Sequence, residues 1–124
     1  MRCVDVNVLL YAHRAEVADH AECREWLDIA RLAREPLGLI DVVASAFLRL
    51  TTNRRIFPIP TPLDEALSFL EALRGSPAVV PLSAGERHWG LFVDLCRQVG
   101  ARGDLVTDAY LAAMDGELGQ IGVP

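Results

Sequence analysis

Short apolar runs alternate along this chain with longer stretches in which apolar residues recur at helical spacing. Cys3 and Val4 suit a buried strand, and Asn7 is suited to start the helix after it, its side chain accepting a free N–H of the first turn. Residues 16–34 read as a polar helix on which Ala21, Trp26, Leu27, Ile29, Ala30 and Ala33 recur. Glu35-Pro36 stops it, because a residue before proline avoids the helical region. Leu37–Ile40 is a second strand, and residues 42–52 are a helix with Val43, Phe47 and Leu50 on one side. Residues 51–60 form a loop containing Arg54 and Arg55. Thr61 as N-cap and Pro62 at the first position open a helix that runs to about Arg74 and stops at Gly75. Residues 78–82 are a third strand. Ser83 and Glu86 have the spacing of a capping box for a helix through Trp89, Phe92, Leu95 and Cys96 to near Gly100. After a turn at 101–103, Asp104 starts a last helix from Leu105 to about Glu117, and residues 119–124 read as frayed.

This alternation implies an α/β layer fold with a mostly parallel sheet, in one domain over residues 1–124. Right-handed crossovers bring the strand ends to one edge. Composition narrows the function. The net charge is −5, so the chain does not grip a polyanion by overall charge; any nucleic-acid contact needs a local arginine patch, a bound cation or a basic partner. All 12 basic residues are arginine, a side chain suited to phosphate. Cys3, Cys23 and Cys96 are odd in number and lack C-x-x-C spacing, which argues against a disulfide framework and for a reducing cytoplasm. Neither a signal peptide nor a membrane span is expected.

The candidate chemistry lies in carboxylates. Asp5 and Asp41 each follow a predicted strand, where open α/β sheets bind ligands. Asp5 has two readings at this point: a cap of the following turn, or a functional acid. Asp104 and Asp108 are four apart and share a helix face, a repulsive pairing worth roughly 0.2–0.5 kcal/mol that a bound cation reverses. Asp104 is accounted for as a cap; Asp108, heading the apolar ladder Ala109, Leu111, Ala112, Ala113, is less easily explained. Asp115 lies about 10 Å further along the axis and reads as a solvated acid. Oxygen ligands without neighbouring Cys or His favour Mg²⁺ or Mn²⁺ over zinc, and such a site binds phosphates and activates water. His20 and Cys23 are at most half a zinc site, His13 and His88 are isolated, Ser45 lacks an elbow motif, and no glycine-rich phosphate loop exists. Arg49, Arg54 and Arg55 read either as a strip for RNA backbone or as a solvated loop.

The stretches VDVNVLLYAHR, FLRLTTNRRIF and GDLVTDAYLAA, in that order, resemble the PIN-domain ribonuclease toxins of VapBC toxin–antitoxin modules, especially the mycobacterial branch. The resemblance runs from Arg2 to about Ala113. It implies a three-layer α/β/α sandwich, a Mg²⁺-dependent endoribonuclease (Mn²⁺ as an alternative), a cognate VapB-like antitoxin, and a homodimer. Asp5 matches the first metal-binding aspartate, Asp108 the aspartate heading the DAYLAA helix, and Asp104 an extra acid of some members. Two departures are visible. Ala46 stands where many members carry Glu before the segment matching FLR, with Asp41 five residues earlier as the substitute acid. After the last helix, GELGQIGVP matches neither the family's last strand nor its acidic motif, so that strand is expected to be lacking. The resemblance thus makes a toxin ribonuclease the leading expectation, and a weakened protein that acts by binding an antitoxin the alternative. A phospho-accepting Asp5 of receiver type ranks far behind, since no acidic pair stands beside it and no lysine occurs.

Overall fold

The computed structural model describes residues 1–120, with side chains as far as Glu117. The elements, in order, are β1 (Arg2–Cys3), α1 (Val6–His13), α2 (His20–Ala30), β2 (Leu37–Ile40), α3 (Asp41–Thr51), α4 (Leu63–Arg74), β3 (Val79–Leu82), α5 (His88–Val99) and α6 (Asp104–Gln120). Residues 2–82 form one compact unit, and the described residues from Ser83 to Gln120 belong to another.

In the first unit the three strands form a parallel sheet in the order β1-β2-β3. Arg2 pairs with Leu37 and Leu37 with Val79, so the strands run in step. All four residues of β2 are buried, as a central strand covered on both faces requires. The Val4 amide extends the β1 pairing with a 2.9 Å bond to the Gly38 carbonyl. Leu9, Leu27, Leu39, Ile40, Phe47 and Leu70 lie in the core, and Phe47 is fully buried. The helix expected over 16–34 is shorter. Residues 15–19 are spent in a turn, and His20 Nδ1, 2.8 Å from the Tyr11 carbonyl, ties the first residue of α2 back to α1.

Arg14, just past α1, is 6% exposed, which is unusual for an arginine and requires partners. Its Nη1 donates to the Thr51 carbonyl (3.3 Å), Thr51 Oγ1 (3.1 Å) and Thr61 Oγ1 (3.0 Å). Nη2 donates to the Ile59 carbonyl, Nε to Glu16, and the guanidinium lies 3.9 Å from the Phe57 ring centroid. Thr61 therefore does not cap α4. Pro62 takes the N-cap position and has no side-chain bond to offer, while Thr61 faces Arg14 and His13.

His13 Nε2 lies 3.1 Å from Thr61 Oγ1, and its ring packs between Phe47 and Phe69. One assignment satisfies every group: Arg14 donates to Thr51, the Thr51 hydroxyl to Thr61, and the Thr61 hydroxyl to a neutral His13. Burial lowers the His13 pKa, with Glu65 opposing the shift and Arg14 adding to it.

In the second unit, α5 and α6 are joined by a turn in which Gly100 (φ 59°) and Gly103 (φ 54°) both adopt the left-handed conformation that favours glycine. The expected capping box does not form: α5 starts at His88, after both Ser83 and Glu86. Its first amides are satisfied instead from α6. The buried Glu117 carboxylate accepts from the amides of Gly85 (2.8 Å), Arg87 (2.9 Å) and His88 (3.0 Å). A Cβ on residue 85 would sit 2.5 Å from a Glu117 oxygen, which is why glycine stands there. His88 Nε2 bonds the Tyr110 carbonyl at 2.9 Å, and Phe92 and Tyr110 pack around its ring. Of the segment expected to fray, residues 121–124 lie outside the described residues, and α6 runs to Gln120.

Replacing Arg14 with Met keeps an apolar stem but leaves the Ile59 carbonyl without its donor and takes one donor from the Thr51 and Thr61 oxygens. We expect a loss of about 2–4 kcal/mol in urea unfolding. Because the folded state binds a proton at His13 less readily than the unfolded chain does, stability should be full above the ordinary histidine value of 6.5 and fall as pH drops through it. His13→Asn should flatten that dependence, read from urea midpoints at about pH 7.5 and about pH 5.5. Glu16 is held below the usual carboxylate range by a hydrogen bond from its own backbone and by Arg14, so it acts at lower pH.

Candidate functional site

Parallel strands that run in step end together, and two acids stand at that edge. Asp5 follows β1, and Asp41 follows β2 directly as the first residue of α3. Continuing the β1–β2 register puts Asp5 beside Ile40, one residue before Asp41, on strands about 5 Å apart.

Asp5, not Asn7, holds the N-cap position of α1, with the extended backbone of a cap (φ −85°, ψ 150°). Its carboxylate makes no capping hydrogen bond. The capping explanation for this aspartate therefore fails in its essential part: the backbone is in place and the side chain is not used. The half-buried carboxylate stands at the positive end of α1 with no ion pair or hydrogen bond among the described residues.

Asp41 is exposed in the first turn of α3. Because the helix already begins there, Ala46 lies roughly 140° around the axis from it, five residues on at 100° each. Asp41 thus belongs to the strand-end edge with Asp5 and does not share the Ala46 face.

Asp104 and Asp108 lie in the first two turns of α6, both exposed and one turn apart. Gly103, in the left-handed conformation, turns the chain into this helix. Asp108 borders a shallow apolar groove beside Leu95, Val99 and Leu105.

Four arginines are engaged with other acids. Arg2 pairs with Glu35, Arg14 with Glu16, and Arg24 and Arg31 both with Asp28. Among the described residues, no cationic side chain pairs with Asp5, Asp41, Asp104 or Asp108. Nor do these residues contain a ready-made group of three His, Cys, Asp or Glu side chains for a metal ion. Mg²⁺ does not require one: it takes one or two carboxylates and completes its shell with water and phosphate. Uncompensated carboxylates with only oxygen donors fit Mg²⁺ or Mn²⁺ in kind. The histidines set aside in the sequence are occupied structurally, His13 at Thr61, His20 at Tyr11 and His88 at Tyr110.

The fold is PIN-like α/β/α. The solved structure of VapC20 from Mycobacterium tuberculosis, a Sarcin-Ricin loop cleaving toxin, superposes with a TM-score of 0.67 at 17% identity, over 96% of this chain and 84% of that one. No protein-family profile matches. Ribonuclease VapC43 of M. tuberculosis is 48% identical over 113 residues, 91% of this chain and 77% of its own length. Ribonuclease VapC25 of the same species is 46% identical over 114 residues, 92% of this chain and 80% of its own. At that identity and coverage the chain belongs to the VapC ribonucleases, the endoribonuclease toxins of toxin–antitoxin modules.

Proposed function

We propose that the ribonuclease activity depends on Mg²⁺ or Mn²⁺ and is carried by Asp5, Asp108 and Asp104, with Asp5 and Asp108 as metal ligands and Asp104 assisting directly or through water. The observation that supports it most is the Asp5 carboxylate: it stands at a strand end and a helix N-terminus and caps nothing. A bound Mg²⁺ supplies charge neutralisation at the scissile phosphodiester and a water of lowered pKa. The chain's part is to set carboxylates where the cation would be held. The backbone of Asp5 is fixed at the N-cap of α1. Asp104 lies in the first turn of α6, and Asp108 stands one turn on along the same face.

In this reading the substrate is RNA, a VapB-like antitoxin silences the enzyme, and the working form is a cytoplasmic homodimer of one PIN-like domain spanning residues 1–124. Among the described residues, no helix is long and apolar enough to cross a membrane.

Ala46 favours a second reading, a weakened nuclease that acts mainly by binding its antitoxin. The half-buried alanine stands where the family resemblance implies an acid, and Asp41 is on another face of α3.

Purified wild type should cleave total tRNA in Mg²⁺ or Mn²⁺, and Asp5→Asn should lose about 100-fold or more of that rate together with toxicity. Retained cleavage in Asp5→Asn refutes the assignment. Ala46→Glu should tighten Mn²⁺ binding and raise cleavage several-fold; an unchanged rate means that the site does not need this acid.

A further inference from the structure

Residues 42–63 contain three arginines, Arg49, Arg54 and Arg55, and neither Asp nor Glu, in a chain whose net charge is −5. All three are exposed and, among the described residues, unpaired. The C-terminal dipole of α3 accounts for a cation in its last turn, where Arg49 sits. It does not account for two more beyond the helix, in a stretch of sequence that carries no acid.

The loop that carries Arg54 and Arg55 is held firmly. Asn53 accepts the Arg55 amide on its side chain (2.9 Å) and the amides of Ile56 and Phe57 on its carbonyl (both 3.0 Å). Phe57 lies against Arg14, the Ile59 carbonyl accepts from Arg14, and the Thr61 amide closes the loop on the Thr51 carbonyl at 2.8 Å. The buried arginine thus fixes the segment that displays the two exposed ones. A fixed display of guanidinium groups loses little entropy when it binds and suits phosphate oxygens.

We propose that Arg54 and Arg55, with Arg49 beside them, form a second RNA-binding site that grips the phosphate backbone away from the cut. α1 and α3 each start at the carboxylate edge and end at this loop, so it lies about 12–16 Å from Asp5 and Asp41. At that distance the arginines act on binding and not on the chemical step, and Asp5 acts on the step. This inference rests on the ribonuclease reading above.

The test is binding of a labelled, mixed-sequence single-stranded RNA in EDTA across a salt series, followed by tRNA cleavage in Mg²⁺. Two neutralised phosphate contacts should make the slope of log K against log salt shallower by roughly 1.4 and weaken binding roughly tenfold near 0.15 M salt in Arg54→Ala/Arg55→Ala. KM should rise with kcat unchanged. Arg54→Lys/Arg55→Lys should stay close to wild type in slope. Arg34→Ala/Arg74→Ala, which removes equal charge from exposed positions elsewhere, should leave the slope unchanged. Thermal unfolding should match wild type in all three, since none of these side chains has a partner.

An unchanged slope in the Arg54/Arg55 variant, or an equal effect in the Arg34/Arg74 control, overturns the proposal. So does a variant that binds RNA normally but loses affinity for the antitoxin, which makes the loop a protein-binding surface. If cleavage persists and depends on Asp5 while the slope is unchanged, only this proposal falls. If wild type neither binds nor cleaves RNA, the ribonuclease reading falls with it.

Discussion

A guanidinium taken out of water has to replace its hydration, and in the first unit that requirement organises the chain. Arg14 collects carbonyl, hydroxyl and carboxylate oxygens from the end of α3, from the loop after it and from Glu16, with an aromatic face against it. These partners lie up to 47 residues away in sequence, so the interaction closes a large part of the fold. It also dictates the protonation of the next residue. With Thr61 already accepting from Arg14, His13 is best served as an acceptor, and a proton there would turn it into a second donor facing an oxygen already in use. Charge, hydroxyl direction and histidine state form one connected arrangement.

The two ends of the helices in this unit are chemically opposite. At the strand-end edge stand Asp5 and Asp41 without counter-ions among the described residues; at the far end the segment after α3 carries Arg54 and Arg55, with no acid from residue 42 to 63. Pairing across the unit would have been simple on composition, since acids outnumber bases in the chain, 17 to 12. The separation leaves both sets of charges uncompensated within the unit, as the proposed cation and phosphate contacts need.

Much of this was legible in the sequence. Strand β2 and the last residue of α4 fell where the apolar run and Gly75 put them, because a continuous apolar stretch and a helix stop are local signals. Asp5 could be singled out as a strand-end acid, but whether it served as a cap depended on where its side chain turned, which spacing does not encode. Asp41 as a stand-in for the acid missing at 46 depended on whether α3 had already begun, a matter of one residue at a helix boundary. The capping errors at Thr61, Ser83 and Glu86 share one cause. Thr61, Ser83 and Glu86 have capping roles on local pattern, but the partner that mattered came from far along the chain: Arg14 drew Thr61 away, and α5 starts later than that pattern implies, with Glu117 accepting the amides of Gly85, Arg87 and His88. Arg14 itself gave no sign of burial, since an arginine after an apolar run looks like an ordinary helix end.

The Glu117 clasp has a consequence for how the second unit comes apart. The amides at the start of α5 have no side-chain cap of their own and depend on a carboxylate about thirty residues later. If the last turns of α6 unwind, those amides lose their acceptor; if α5 frays from its start, Glu117 is left as a buried charge with nothing to bind. Neither end opens cheaply alone, so the hairpin of α5 and α6 behaves as one cooperative block whose exchange with solvent is governed by the far turn of α6.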